Sequence, residues 1–180
     1  VLTAMMTRRF GGTDRAVTLA AFFAAGGGFY LAVGHLLSTT TFDVVLWAAI
    51  VLGVIVLIDG ADPRWWLGVG ALAGVALLNK YMVVALLAAV LVGLLVTPQR
   101  TLLRSPWPWL GSGLALLIAA PNLAWQAANG WPQLEMARAL REAADPPADY
   151  LLLQVAILSV MLVVPAAMGF RWLFSDPAGR

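Results

Sequence analysis

The chain has 180 residues, of which 62% are hydrophobic and only 11% charged, and its mean hydropathy is +0.88. Soluble domains are about half apolar and one quarter charged, and disordered chains are more polar still, so a polytopic membrane protein is the class that remains. The net charge of +2 comes from 11 Lys and Arg against 9 Asp and Glu, too few for a nucleic-acid-binding face. With no cysteine and one histidine, disulfides, Cys-ligated zinc and multi-histidine metal sites are excluded.

The chain begins with a short apolar stretch, Val1–Met6, which precedes Arg8 and Arg9. A signal peptide has its basic residues before its apolar stretch. We therefore interpret Val1–Met6 as the end of a helix that begins outside this sequence. We expect the chain to be a fragment of a longer membrane protein, with residues 1–180 forming a single transmembrane domain.

Six apolar stretches are candidates for membrane-spanning helices, which need about 20 apolar residues to cross a hydrocarbon core of roughly 30 Å. In chain order they are residues 16–37, 40–58, 65–79, 81–97, 107–125 and 150–170. Trp65–Thr97 as one helix would measure roughly 50 Å, so we predict two short spans with a hinge at Asn79-Lys80. The predicted fold class is an all-α polytopic membrane protein with about six transmembrane helices.

The third predicted span contains a GxxxG pattern formed by Gly70 and Gly74. Small residues at this spacing allow two membrane helices to approach each other closely. The pattern is also common by chance in a glycine-rich membrane chain. We therefore predict that the two glycines serve helix packing.

The arginine residues are distributed unevenly over this topology. With the hinge at Lys80, eight of them share one side and two lie on the other, whereas a single helix over Trp65–Thr97 gives six against four. The eight are Arg8, Arg9, Arg15, Arg64, Arg100, Arg104, Arg171 and Arg180, and the two are Arg138 and Arg141. The positive-inside rule makes the eight-arginine side cytoplasmic.

Residues 127–149 form the longest segment between predicted spans. Within it, a helical pattern begins at Trp131-Pro132 and ends at Pro146-Pro147. Between these points Leu134, Ala137 and Leu140 recur at helical spacing. We predict a short amphipathic helix that lies on the outer membrane surface.

Polar and aromatic residues from four spans lie at or near the predicted non-cytoplasmic end. Asp43 is a carboxylate near the hydrocarbon edge, where ionisable residues are functional by default, although it could equally cap its own helix. Lys80, the only lysine, suits a phosphate or carboxylate partner, or else snorkels from a hinge. His35 fits a structural hydrogen bond better than a substrate contact. The remaining candidates are Tyr81, Asn122, Trp125, Gln126, Asn129 and Trp131.

Five motifs follow one another in a recognisable order. They are Arg8-Arg9-Phe10-Gly11-Gly12; Ser38-Thr39-Thr40-Thr41-Phe42-Asp43 before Trp47; Gly70 and Gly74 before Leu77-Leu78-Asn79-Lys80-Tyr81; Pro121-Asn122-Leu123-Ala124-Trp125-Gln126; and Asn129-Gly130-Trp131-Pro132. This ordered set, which covers Arg8 to Trp131, resembles the polyprenyl-phosphate-sugar-dependent glycosyltransferases of the GT-C fold. The resemblance is to the superfamily of glycosyltransferase family 39, with protein mannosyltransferases, lipid A aminoarabinose transferases and the Rgt-like bacterial branch.

The resemblance implies an integral, multi-pass enzyme of the inner or plasma membrane. Such an enzyme moves a sugar from a polyprenyl-phosphate carrier to a lipid, glycan or protein acceptor on the non-cytoplasmic face. The resemblance matches Asp43 to an acidic position near the donor and acceptor region and Lys80 to a family lysine, and it places Asn122, Trp125, Gln126, Asn129 and Trp131 in a family signature at an outer span end. We predict that Asp43 is a supporting acid. We predict as substrate-binding residues Lys80, His35, Tyr81, Asn122, Trp125, Gln126, Asn129 and Trp131. The family's main catalytic carboxylate lies in the first outer loop, which we expect to be absent from this chain, so the isolated chain is expected to be inactive. No cofactor is implied, although Asp43 could hold a divalent ion.

Two other functions compete with this interpretation. Intramembrane Lys and Asp beside broken helices also suit a transporter or flippase, but no inverted repeat is visible. A non-catalytic membrane subunit would need no converging polar residues. No nucleotide-binding motif occurs, and no nucleic-acid partner is expected.

Overall fold

The structure is a computed structural model that describes residues 1–27, 31, 34, 38–142, 166–172 and 175. These residues form helices and turns, and no strand occurs among them, so the predicted all-helical class is confirmed for this part of the chain. The predicted span 150–170 lies outside the described residues except at 166–170, and His35 also lies outside them.

Seven α-helices and one 3₁₀ helix have defined bounds in the described part of the chain, and residues 166–172 are helical as well. They are α1 (Leu2–Arg9), α2 (Asp14–Gly26), α3 (Thr39–Ile58), α4 (Trp65–Asn79), α5 (Val83–Val96), the 3₁₀ helix (Pro98–Arg104), α6 (Trp107–Ala128) and α7 (Pro132–Glu142). The chain divides into two compact units, of which the first holds residues 3–37 and 137–180 and the second holds residues 38–136.

The first unit contains α1, α2 and the turn between them, residues 10–13, which is flanked by arginines in both helices. The Thr13 side chain caps α2 by accepting a hydrogen bond from the Ala16 N–H at 3.4 Å, and Arg8 pairs with Asp14 at 2.5 Å on the exposed surface. The Phe10 ring contacts the Trp172 ring edge to face, with 5.8 Å between centroids. Local capping and charge pairing therefore define this turn.

The second unit is built around α4, which packs against both α3 and α6. Its core consists of apolar side chains from α3 to α6, with Ile50 and Ala76 at 0% exposure and Leu57 at 1%. Because α3, α4 and α5 are apolar on all sides rather than on one stripe, they can bury one face in this core and present another to lipid.

The helices α4 and α6 cross at the glycine pair of the GxxxG pattern. A Cβ atom added at Gly74 would lie 2.8 Å from Ile118 Cβ and 3.0 Å from the Ala115 carbonyl oxygen. A Cβ atom at Gly70 would overlap the backbone of Gly111. The prediction that Gly70 and Gly74 serve helix packing is therefore confirmed.

The stretch Trp65–Thr97 contains two helices, with Lys80–Met82 between them. With 15 and 14 residues, α4 and α5 are roughly 22 Å and 21 Å long, less than the roughly 30 Å of a hydrocarbon core. Among the described residues, α3 alone is long and apolar enough to span a membrane by itself. The pair of α5 and the 3₁₀ helix, bent by 110°, would be a second span if it acts as one. The number of six spans thus stays a prediction.

Candidate functional site

Two hydrogen bonds join distant parts of the sequence at one end of the second unit. The Asn79 side-chain amide donates to the Thr39 carbonyl oxygen at 2.8 Å, which ties the end of α4 to the start of α3. The Tyr81 hydroxyl donates to Asn122 Oδ1, which ties the α4–α5 turn to α6. The start of α3, the α4–α5 turn and the last third of α6 therefore form one polar cluster.

Lys80 lies between the two residues that hold this turn. Its backbone is extended, with φ −161° and ψ 127°, and its N–H closes α4 by donating to the Ala76 carbonyl oxygen at 2.8 Å. The side chain is half-buried, and among the described residues no hydrogen bond or ion pair occupies its ammonium group. Hydrogen bonds of Asn79 and Tyr81 hold the turn in place. The Lys80 ammonium group takes no part in them, so it can bind an anion.

Asp43 lies in the second turn of α3, because this helix begins at Thr39 after its N-cap residue Ser38. The alternative that Asp43 caps its own helix is therefore wrong. Its Oδ1 atom is buried and has no hydrogen-bond partner, and the same is true of Trp47 Nε1. Residues four apart lie on the same face of a helix, so a buried acceptor and a buried donor without partners are neighbours here.

Gln126 organises the turn that follows α6. It is only 2% exposed, and its carbonyl oxygen accepts the Trp131 N–H at 2.8 Å and the Asn129 N–H at 3.2 Å. Its side-chain Oε1 accepts the Gln133 N–H at 3.3 Å. The structure therefore places Gln126 inside the protein, where it positions the turn.

The same turn presents two large aromatic rings. Trp125 and Trp131 are 56% and 42% exposed, whereas the Asn129 amide is used locally and donates to the Trp125 carbonyl oxygen at 2.7 Å. Exposed indole rings have an apolar face and a polar N–H, which suits both a membrane interface and the C–H face of a sugar.

Sequence reasoning did not include Trp47 among the site residues and did not foresee the Asn79–Thr39 bond. The spacing of Asp43 and Trp47, one helical turn apart, is a signal that could have singled out Trp47. No group of three or more His, Asp or Glu side chains that could hold a metal ion occurs in the described part of the chain.

Taken together, one end of an apolar helix bundle carries an available ammonium group, a buried carboxylate oxygen, a phenol–amide pair and exposed indoles. The ammonium group can bind an anion, and the carboxylate and indole N–H can bind hydroxyl groups. These are the groups needed to hold an anionic, hydroxyl-bearing molecule at a membrane edge.

Comparison with known proteins assigns the chain to a family. A model of the dolichyl-phosphate-mannose-protein mannosyltransferase family matches residues 1–125, which is more than half of the chain. The matched range includes Asp43, Lys80 and Asn122. No curated protein and no solved structure matches the chain. The resemblance to membrane glycosyltransferases of the GT-C type is thereby confirmed, and the chain belongs to the dolichyl-phosphate-mannose-protein mannosyltransferase family.

Proposed function

We propose that this protein is a multi-pass enzyme of the cell membrane that transfers a sugar from a polyprenyl-phosphate carrier to an acceptor hydroxyl on the non-cytoplasmic face. Family membership supports a membrane glycosyltransferase. The observation that carries the donor class is the available Lys80 ammonium group at the polar end of an apolar bundle. A lipid-linked phosphate has the same distribution, with an anionic group at the membrane edge and an apolar chain within the bilayer.

The role of Lys80 in this reaction is to bind the phosphate that leaves. The acceptor hydroxyl gives its proton to a general base, which the resemblance places at the family's main carboxylate of the first outer loop. The acceptor oxygen forms a bond to the anomeric carbon, and the bond from that carbon to the phosphate oxygen breaks. The electron pair departs with the polyprenyl phosphate, whose negative charge rises. A half-buried ammonium group stabilises this charge more strongly than it would in bulk water, because the local dielectric is lower.

The other site residues are assigned to binding and positioning. Asp43 is the supporting acid, which accepts a hydrogen bond from a substrate hydroxyl. Tyr81 and Asn122 hold the Lys80 turn in place, and Trp125 and Trp131 offer aromatic faces to the sugar. Gln126 and Asn129 act through the turn that they build, and His35 stays a predicted substrate contact. The acceptor is a lipid, a glycan or a protein, and the reaction needs no cofactor.

The first prediction concerns Lys80 and is tested with the full-length native protein in its own membranes. Polyprenyl-phosphate mannose, labelled in its sugar, is supplied as donor, and label in non-carrier products is measured. We expect Lys80→Met to lower transfer about 100-fold and to raise the donor KM, because a charge-assisted hydrogen bond to phosphate is lost. Lys80→Arg keeps the charge and is expected to retain about one tenth of the rate.

Arg138→Met is the matched control, because Arg138 is an exposed cation on α7 and is not one of the candidate site residues. It should leave transfer unchanged. If the Lys80→Met variant transferred sugar at the wild-type rate, the proposal that Lys80 binds the leaving phosphate would be contradicted. Movement of the intact donor across proteoliposomes, with no sugar transferred by the wild-type protein, would instead indicate a flippase.

A further inference from the structure

We propose that Asp43 and Trp47 jointly bind one hydroxyl group of the donor sugar. In this arrangement Trp47 Nε1–H donates a hydrogen bond to the hydroxyl oxygen, and the hydroxyl donates its own hydrogen to Asp43 Oδ1. Because this inference rests on the proposed function, its test must separate loss of the hydroxyl site from loss of donor binding as a whole.

The two unpartnered atoms are the first step. Asp43 Oδ1 and Trp47 Nε1 are both buried, and neither has a hydrogen-bond partner. Buried polar atoms in proteins are nearly always paired, because an unsatisfied one destabilises the folded state. Two such atoms one turn apart on α3 therefore point to a ligand that satisfies both.

The chemistry of the pair selects the ligand group. An indole N–H can only donate, and an ionised carboxylate can only accept. A hydroxyl group does both, with a hydrogen for the carboxylate and lone pairs for the indole. The donor phosphate is a diester that has no O–H group at neutral pH, so it cannot donate to the carboxylate. Its negative charge is also repelled by the carboxylate, so it is the wrong ligand for this pair.

The position of the pair selects the source of the hydroxyl. The Asn79–Thr39 hydrogen bond places the Lys80 turn against the first turn of α3, one turn before Asp43. If Lys80 holds the donor phosphate, a group covalently attached to that phosphate lies beside Asp43. The phosphate joins a polyprenyl chain, which has no hydroxyl group, to a sugar, whose ring carries several, so the sugar is the group that Asp43 and Trp47 can bind.

A third buried indole provides a control within the same bundle. Trp66 Nε1 is also buried without a partner, but Trp66 lies at the start of α4, at the opposite end from Asn79. In the described part of the chain, the buried carboxylate oxygen without a partner is that of Asp43, which lies at the Asn79 end of the bundle. We therefore expect the environment of the Trp66 indole to stay the same when the sugar binds.

The test is an NMR titration of the full protein in lipid nanodiscs with ¹⁵N-labelled indole groups. The chain has eight tryptophans, and Trp47→Phe and Trp66→Phe assign the two signals by their disappearance. Polyprenyl-phosphate mannose is the probe, and polyprenyl phosphate without sugar is its control. We expect the Trp47 indole proton to shift downfield with the glycosylated probe only, while the Trp66 signal stays in place.

Affinities measured in the same titration complete the experiment. We expect Trp47→Phe and Asp43→Asn each to weaken binding of the glycosylated probe about 10- to 100-fold, with binding of the unglycosylated carrier unchanged. Trp66→Phe should leave both affinities unchanged. Asp43→Asn keeps the shape of the side chain, so it tests the site even if Trp47→Phe fails to fold.

Three outcomes would overturn the inference. An equal Trp47 shift with carrier alone would assign the pair to the phosphate side of the donor. An unmoved Trp47 signal, with probe binding that still depends on Lys80, would mean that water alone bridges the pair, and the proposed function would stand. Absence of any Lys80-dependent binding would remove the proposed function together with the hydroxyl site.

Discussion

At the scale of single residues, Trp131 has an unusual backbone. Its φ is +62°, and among the described non-glycine residues it is the one with positive φ. This left-handed conformation brings Cβ close to the following carbonyl oxygen and destabilises the backbone by roughly 1–2 kcal/mol. The Gln126 carbonyl oxygen holds it by accepting the Trp131 N–H. Strained residues of this kind cluster at functional sites. This agrees with a functional role for the Trp131 ring.

We predict that Trp131→Gly raises stability while it lowers activity. Glycine adopts φ +62° without a steric penalty, so the unfolding temperature in detergent should rise by about 2–4 °C. Sugar transfer from polyprenyl-phosphate mannose should fall about tenfold, because the aromatic face is lost.

The control for this prediction is the neighbouring glycine. Gly130 has φ +77°, and a Cβ there would meet nothing within 4 Å, so Gly130→Ala adds strain without a clash and keeps the Trp131 ring. It should lower the unfolding temperature. A Trp131→Gly variant that unfolds at a lower temperature than the wild type would show that the ring packs for stability.

At the scale of elements, the α4–α5 turn is held from two sides. Asn79 bonds to the start of α3, and Tyr81 bonds to Asn122 of α6, 41 residues further along the chain. The turn itself contains neither glycine nor proline. Tertiary hydrogen bonds therefore determine where Lys80 lies, and the site depends on them.

We predict that Tyr81 and Asn122 are energetically coupled. Tyr81→Phe, Asn122→Ala and the double variant form a thermodynamic cycle, read from reversible unfolding in detergent. The coupling free energy should be about 0.5–1.5 kcal/mol, the usual contribution of a hydrogen bond. Tyr81→Phe should also raise the donor KM, since the Lys80 turn loosens. A coupling near zero would mean that the bond contributes nothing to the folded protein.

The second prediction at this scale concerns the crossing of α4 and α6. Gly70→Ala should destabilise the protein by about 1–3 kcal/mol or more, because the added methyl group overlaps the Gly111 backbone. Gly113, on the same α6 helix as Gly111, has nothing within 4 Å of an added Cβ. Gly113→Ala should therefore stabilise by about 0.5–1 kcal/mol through helix propensity.

Thermal unfolding of the two variants in the same detergent is the measurement. Opposite signs are expected, since one glycine is required by packing and the other is not. Equal effects of Gly70→Ala and Gly113→Ala would show that helix propensity, and not the crossing, controls stability here.

At the scale of the whole bundle, the second unit has two chemically different ends. One end carries the polar cluster around Lys80. The other end has Asp62, whose carboxylate accepts the Arg64 N–H at 2.8 Å, and Arg64, whose guanidinium lies 5.7 Å from the centre of the Trp107 ring. The positive-inside rule predicts that the arginine end is cytoplasmic.

We predict the orientation of the bundle from this difference. The chain has no cysteine, so single cysteines can be introduced without background. In intact cells or spheroplasts, a membrane-impermeant maleimide should label Glu135→Cys, on exposed α7, before permeabilisation. Asp62→Cys, also exposed, should be labelled only afterwards. The reverse order of labelling would place the polar cluster on the cytoplasmic side and contradict the proposed active face.

Much of the fold follows from the sequence because it depends on local composition. Apolar stretches of helical length predict α3 to α6, and the central parts of these helices lie within the predicted ranges. Two ends differ, because α5 begins at Val83 and not at residue 81, and α6 ends at Ala128 and not at residue 125. The hinge is visible as one charged residue inside a long apolar stretch, and the GxxxG spacing indicates a close crossing. Each of these signals lies within one segment of the chain.

The site depends on contacts between segments. Sequence alone determined that this is an apolar protein of the membrane glycosyltransferase family, with Asp43 and Lys80 as its notable charges, and it predicted the helices that the described part of the chain contains. The tertiary structure decided which of these residues meet. It joined Asn79 to Thr39 and Tyr81 to Asn122, enclosed Gln126, and buried Asp43 Oδ1 and Trp47 Nε1 without hydrogen-bond partners. The physical reason is that hydropathy and helix period specify which face of a segment is apolar, whereas hydrogen-bond partners are specified only when helices pack at a particular register.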